Sequence, residues 1–287
     1  AGGWYGKPVT LTIYRCNPDF TGCTQVYTGP SVEDTYTAAT PDGKVWFSGM
    51  NSSNGAAVGY YDPSTGTGTY KYSGDVGYKK YLMLEYYYNG QWLIQATGNS
   101  GFRIFKATDP LDFTTYTSVL DPTSVFGYSA ETKFTVVDDL DSILIATGAP
   151  NYIARLWKCS FDKSTFSISG CTKIYESPST YAVTNWSKYV HATVCGGKIF
   201  MPDMYYDGTN LNHELYASDV DTISFTKIAT GNKTSTYNES QGHVFCIGNK
   251  YVLWGYCGSG NSGYVEIRDL NGNLLYQVSN PYHIEYI

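Results

Sequence analysis

The sequence predicts an all-β protein, a six-bladed β-propeller with four antiparallel strands in each blade. Three observations predict this fold. Tyrosine occurs 29 times whereas charged residues make up only 15% of the chain, a composition that favours strands over helices. A pattern of strands and turns recurs at a period of about 40 to 56 residues. The chain also begins and ends with incomplete copies of that pattern.

The clearest part of the repeat is a tight turn that leads into an apolar strand. Glycine and asparagine at these turns suit the positive φ angles of short hairpin loops. An outer hairpin follows, and its first strand ends at an aspartate that opens the next turn, as at Asp109, Asp219 and Asp269. Five copies of the turn and strand are complete, at residues 42–47, 89–94, 141–145, 196–200 and 248–254.

The two chain ends together predict the sixth blade. Residues 4–27 match the second, third and fourth strands of a blade whose first strand is missing, and residues 283–287 form a strand after a complete blade. Pairing the last strand with the first blade closes the ring and removes its open sheet edges. We therefore expect one domain over residues 1–287, with the first blade divided between residues 1–29 and 281–287.

Seven cysteines indicate disulfides and an oxidising compartment. Two pairs flank short turns between apolar runs, the arrangement of a disulfide across a hairpin, and a third pair lies on successive predicted strands. The odd count leaves Cys195 over. Reduced cysteines in the core are the alternative. The predicted pairs are Cys16 with Cys23, Cys159 with Cys171, and Cys246 with Cys257.

Further features favour an extracellular, cell-surface or virion-surface location. The chain begins at Ala1 rather than Met, which suggests a processed product. Asn-x-Ser/Thr sequons indicate a glycoprotein; they begin at Asn51, Asn185, Asn232 and Asn238. The net charge is −6 without a basic run, so nucleic acid is not expected as a partner. No apolar run approaches the roughly 18 residues that would predict membrane insertion.

Three of the four histidines fall at one point of the repeat. His191 and His243 lie at the same distance before Lys198 and Lys250, and His283 is similarly placed in the last strand. Three imidazoles can bind a divalent metal and leave a position open for substrate. The alternative is a hydrogen-bonded structural role. The fourth histidine, His213, is predicted in a surface loop.

The three histidines are expected near the central channel of the propeller, and acidic residues are expected around the same end of that channel. A pair of carboxylates at a set separation can hydrolyse a glycosidic bond, although no spacing in the sequence fixes such a pair. The candidates are Glu33, Asp34, Glu131, Glu239 and Glu285.

The outer hairpin from Ile104 to Asp109, with the following Phe113, resembles the blades of sialidases and related propeller glycosidases. The resemblance implies the fold. Sialidases also use three arginines that converge on the substrate carboxylate, and they carry Ser-x-Asp-x-Gly-x-x-Trp turns. That turn motif is absent, and the four arginines lie on predicted third strands, at Arg15, Arg103, Arg155 and Arg268. The resemblance therefore argues against sialidase activity.

The first functional hypothesis is a surface or virion binding module that recognises a glycan or a protein partner, as adhesins and host-attachment proteins do. Aromatic faces stack on sugars and anchor protein interfaces. The candidate ligand-binding residues are Trp4, Tyr86, Tyr87, Trp186, Tyr205 and Tyr206.

Two other hypotheses remain open. One is a polysaccharide-acting enzyme, a hydrolase or lyase that uses the carboxylates or a histidine-bound metal. The other is a structural subunit of a surface or viral assembly, whose partners are further copies of the chain or another coat protein. The high tyrosine and threonine content with low charge is similar to that of structural proteins of viruses and surface layers from hot, acidic habitats.

Overall fold

The computed structural model describes most of the chain, and its regular structure is almost entirely β-strand. Two compact units contain the described residues up to Asp121 and from Pro122 onward. The described residues are 9–17, 21–51, 55–74, 82–98, 101–127, 132–147, 153–177, 189–206, 209, 211–232, 241–258 and 262–279.

The first unit contains two antiparallel sheets. Sheet 1 has the strand order β1 (Val9–Arg15), β2 (Thr24–Ala39), β3 (Val45–Asn51), β4 (Gly55–Asp62) and β5 (Thr67–Tyr72). Sheet 2 has the order β6 (Leu82–Tyr88), β7 (Gln91–Gly98), β8 (Gly101–Ala107) and β9 (Thr117–Leu120), with a 3-10 turn at Phe113–Thr115.

The second unit begins with a short helix, α1 (Pro122–Phe126), and contains three sheets. Sheet 3 has the order β10 (Thr132–Val137), β11 (Ser142–Thr147), β12 (Arg155–Asp162) and β13 (Ser167–Glu176), with a 3-10 turn at Asp138–Leu140. Sheet 4 has the order β15 (Thr193–Cys195), β16 (Lys198–Tyr206), β17 (Leu211–Asp219) and β18 (Thr226–Thr230). Sheet 5 has the order β14 (Tyr189–His191), β19 (Gln241–Ile247), β20 (Tyr251–Gly258), β21 (Ser262–Asp269) and β22 (Leu274–Ser279).

The chain is an all-β protein of the β-propeller type with five blades, so the prediction of six is wrong. The reason lies in β2, which was expected to end near residue 29. It continues instead: Thr24 pairs with Arg15 of β1, and Ala39 pairs with Val45 of β3. The N-terminal hairpin therefore extends sheet 1 rather than belonging to a separate blade. Residues 281–287 lie outside the described residues, and the single domain stays a prediction.

In each of the five sheets, the strand next to the outermost one ends at an aspartate or is followed two residues later by one, and we call it the third blade strand. These residues are Asp62, Asp109, Asp162, Asp219 and Asp269. In four of them a carboxylate oxygen accepts a hydrogen bond from the backbone N–H two residues later. This Asx turn starts the outer hairpin. The predicted role of Asp109 and Asp269 is confirmed, and Asp62 and Asp162 have the same role.

Apolar side chains pack between neighbouring sheets of each unit. In the first unit, the rings of Trp46 on β3 and Trp92 on β7 meet edge to face, with centroids 5.4 Å apart. In the second unit, Phe200 on β16 and Trp254 on β20 belong to one buried cluster. Gly59 allows the close approach of β4 and β5, since a Cβ there would overlap the Thr69 carbonyl oxygen.

Candidate functional site

His191 and His243 meet where β14 pairs with β19 in parallel, the two residues standing opposite each other. Their ring centroids are 6.3 Å apart. The Thr135 hydroxyl donates to the Ala192 carbonyl oxygen at 2.7 Å and lies 3.0 Å from His191 Nε2. Because the hydroxyl hydrogen is used on the carbonyl, Nε2 must donate to Thr135 Oγ1. The sequence thus correctly predicted that these two histidines lie close together.

Both rings are neutral at neutral pH. Burial and the nearby Lys133 lower the pKa of His191 to about 4. Burial, Lys133 and His191 lower the pKa of His243 well below its usual range. Neutral imidazole is the form that binds metals. Within the part of the chain that the structure describes, no three His, Cys, Asp or Glu residues are grouped to hold a metal. His283 lies outside that part, so the three-histidine metal site stays a prediction.

His213 is not in a surface loop, which corrects the prediction. It lies on β17, fully buried, with its ring stacked on Tyr256 at a centroid distance of 4.4 Å. Burial lowers its pKa to about 3. The alternation of the strand could have revealed this, because His213 and the buried Leu215 point to the same face.

Two buried carboxylates that the sequence did not single out stand opposite each other, Asp203 on β16 and Glu214 on β17. Tyr175 of β13 donates its hydroxyl to Asp203 Oδ2 at 2.8 Å. Tyr216 donates to Glu214 Oε2 at 2.6 Å, and Lys227 donates to Glu214 Oε1 at 2.9 Å. The carboxylates are thus held by protein donors, and the Tyr175 bond connects sheets 3 and 4. Their arrangement is that of a structural network.

A second buried network surrounds Glu266 of β21. Its Oε2 accepts from Arg268 Nε at 2.6 Å, and its Oε1 accepts from the Tyr256 hydroxyl and Gln277 Nε2, both at 2.9 Å. The Asn232 backbone N–H donates to the Tyr256 oxygen at 2.8 Å. A buried carboxylate needs such donors, because desolvation without them is costly.

The four arginines lie on strands of four different sheets. Arg103, Arg155 and Arg268 are on third blade strands, as predicted, whereas Arg15 is on β1. The three form ion pairs within their own sheets or the adjoining segment, with Asp121, Glu176 and Glu266 respectively.

The predicted ligand-binding and catalytic residues are only partly described. Tyr86 and Tyr87 lie on β6 and are half-buried, and Tyr87 packs against Trp92 at a centroid distance of 5.0 Å. Only the backbone is described for Glu33 and Asp34 on β2 and for Tyr205 and Tyr206 on β16. These assignments stay predictions. The candidates outside the described residues are Trp4, Glu131, Trp186, Glu239, His283 and Glu285.

Two of the predicted disulfides are present, Cys16 with Cys23 and Cys159 with Cys171. The third is wrong, since Cys246 bonds to Cys195 instead of Cys257. In the β19–β20 hairpin Cys246 stands opposite Val252, whereas Cys257 stands opposite Gln241 at the far end. Cys246 and Cys257 thus lie at opposite ends of the hairpin, and the distance between them is too long for a disulfide. The observed bond joins β15 of sheet 4 to β19 of sheet 5.

The structure describes the asparagines of two of the four sequons, and these two differ in exposure. Asn51 is buried, and its side-chain amide donates to the Ser31 carbonyl oxygen at 2.8 Å, so it is not accessible to a glycan. Asn232 is exposed. The remaining sequons, at Asn185 and Asn238, lie outside the described residues.

No protein-family model matches the sequence. The sequence is similar to coat protein TP4 of Thermoproteus tenax virus 1 (strain KRA1), with 28% identity over 193 residues. The match covers 66% of this chain and 82% of the coat protein. A relative of the chain is therefore a viral coat protein.

Solved structures show the same fold at low sequence identity. The structure of YjhT matches with a TM-score of 0.60 and 9% identity, over 92% of this chain and 90% of that chain. A puromycin hydrolase matches with a TM-score of 0.58 and 12% identity, over 92% of this chain and 42% of that chain. This chain thus spans less than half of the hydrolase. Such identities show the fold alone.

Among the described residues, no helix is long and apolar enough to cross a membrane.

Proposed function

We propose that this chain is a coat subunit displayed on the surface of a virus particle. The observation that carries the proposal is its similarity to coat protein TP4, which extends over 82% of that protein. The similarity extends over 193 residues rather than a short motif. It favours the structural-subunit hypothesis over the polysaccharide-acting enzyme.

The covalent and polar links of the structure support this role. One disulfide cross-links the N-terminal β1–β2 hairpin, one cross-links the outer hairpin β12–β13, and one connects sheets 4 and 5. Disulfides form and persist in oxidising surroundings, and the surface of a virus particle is exposed to such surroundings. The Tyr175–Asp203 bond and the Glu266 network add buried polar contacts within the second unit.

The proposal is tested by fractionating cultures that produce this chain. Particles are purified on a density gradient, their surface proteins are labelled with a membrane-impermeant biotin reagent, and each protein is quantified by mass spectrometry. We expect the chain to co-sediment with the particles in many copies and to carry the label. Its recovery only in particle-free fractions would contradict the proposal.

A finer proposal concerns recognition of a glycan by this coat subunit. It is supported by tyrosines that present part of their rings to solvent, including Tyr86 and Tyr88 on β6. Purified protein applied to a glycan array should bind a defined group of sugars, and Tyr86→Ala should weaken that binding. Tyr14→Ala, on another strand, serves as the control. Absence of binding across the array would overturn this finer proposal and leave the coat role intact.

A further inference from the structure

The outermost strand of sheet 5, β22, exposes an uncharged apolar surface. It pairs with β21 on one side, and no described strand pairs with its other side. Leu274, Leu275 and Tyr276 are consecutive and are 48%, 54% and 60% exposed, and Val278 is 38% exposed. Since these residues alternate between the two faces of the strand, apolar groups flank its open edge on both sides.

The outer strands of the other sheets carry features that discourage pairing with another chain. β5 contains Lys71, and β18 contains Lys227. β13 contains Lys173 and Glu176, which pair at 2.6 Å. β9 has only four residues. Charges and short length are the usual protections of an open edge, because an unpaired row of N–H and C=O groups can accept a further strand.

β1, the first strand of sheet 1, contains Arg15. By contrast, β22 has no charged residue and no proline. A register shift between Ile267 and Arg268 places a bulge beside Leu275, and the pairing is regular from Tyr276 to Ser279. The regular part of β22 thus carries none of these protections within its own residues.

We propose that β22 is a self-association edge that pairs antiparallel with β22 of a second copy of this chain. The absence of charge on β22 favours a second copy of β22 as its partner. Like charges directly opposite each other destabilise a strand pair, and β22 can face itself without any such contact. A twofold pair would also cover Leu274, Leu275 and Tyr276 of both copies, which satisfies the open backbone groups and the apolar side chains together.

This inference rests on the proposed coat role, in which many copies of one chain pack together. It adds which surface makes a contact between copies. The segment after β22, residues 280–287, and a different coat protein are the other occupants that an experiment must separate from a second copy.

Sedimentation velocity of the full chain over a concentration series tests the proposal. We expect a monomer–dimer equilibrium. The double variant Leu275→Lys/Tyr276→Lys should weaken self-association about tenfold or more, because it places like charges across the new strand pair. Both side chains are more than half exposed, so the fold should tolerate the change. The matched control is Tyr14→Lys, at an equally exposed tyrosine on β1, which should leave the dimer unchanged.

Hydrogen exchange gives a second readout. The backbone amides of β22 should exchange more slowly in the dimer than in diluted wild-type protein, and dilution should make no difference in the double variant. A wild-type chain that stays monomeric up to about 100 μM overturns the proposal, whether residues 280–287 or another coat protein occupies the edge. A double variant that dimerises like wild type also overturns it.

The two proposals fail separately. A chain that is abundant on particles but monomeric, or dimeric through another surface, overturns only the β22 pairing. A chain that dimerises through β22 but is absent from particles overturns only the coat role.

Discussion

Cys195 on β15 and Cys246 on β19 form a disulfide that joins two neighbouring sheets, with their Cα atoms 5.2 Å apart. The two cysteines are 51 residues apart in the sequence, whereas the hairpin disulfides join cysteines 7 and 12 residues apart. A disulfide that closes a longer loop removes more conformational entropy from the unfolded chain. This bond should therefore contribute most to stability.

Removing the inter-sheet disulfide tests that ranking. We expect Cys195→Ala/Cys246→Ala to lower the free energy of unfolding by about 4 kcal/mol, against about 2 kcal/mol for Cys16→Ala/Cys23→Ala. Chemical denaturation without reductant measures both, and peptide mapping confirms the pairing. Equal losses, or a Cys246 peptide linked to Cys257, would show that the sheets are not joined in this way.

Breaking the buried ion pair of sheet 5 should lower the free energy of unfolding far more than breaking an exposed ion pair. The side chains of Arg268 and Glu266 are only 10% and 2% exposed. Arg268→Met leaves the Glu266 carboxylate buried without its cation, so we expect a loss of about 3 to 5 kcal/mol. Arg155→Met is the control. Its partner Glu176 is 41% exposed, so the loss should be about 1 kcal/mol or less. Thermal or chemical unfolding compares the two variants.

If the Arg268 variant is no less stable than the Arg155 variant, the Glu266 network does not hold sheet 5 together. The double variant Arg268→Met/Glu266→Leu should recover much of the stability, because it removes the unpaired charge.

His191 should make the protein less stable in mild acid. Its pKa is about 4 in the folded protein and about 6.5 in the unfolded chain. Protonation therefore occurs first in the unfolded state, so stability is lost as the pH falls from about 6.5 to 4, by roughly 3 kcal/mol for this residue. Denaturation at pH 7 and pH 4 measures the change, which should be smaller in His191→Gln.

Carboxylates act in a different pH window. The pKa values of Asp42 and Asp162 are held at about 2 by hydrogen bonds, from Lys44 and Thr40 and from Ser164 and Thr165. Their contribution to stability is present above about pH 4 and is lost only as the pH falls toward 2.

If the difference in stability between pH 7 and pH 4 is the same in His191→Gln as in the wild type, the acid sensitivity does not come from His191.

The sequence predicted local features of the fold well. The turns, the apolar strands, the aspartates after the third strands and the two hairpin disulfides all depend on residues close together in the chain. His191 and His243 were also predicted to lie together, since equivalent positions of consecutive repeats become neighbours when the sheets pack.

Features that depend on distant residues were not predictable in the same way. The blade number failed because nothing in residues 24–39 shows that β2 continues past Gly29 and Pro30 into sheet 1. The Cys195 partner failed because it is set by packing between sheets. Asp203 and Glu214 were missed because acidic residues in strands are normally exposed. Their burial is made favourable by hydrogen-bond donors that include Tyr175 and Lys227, which lie on other strands.

The coat role is tested most directly by cryo-electron microscopy of purified particles from cultures that produce this chain. The account predicts repeated surface density into which the described sheets fit, with the Cys195–Cys246 disulfide resolved between sheets 4 and 5. A particle map whose surface proteins are all traced to other chains would contradict it.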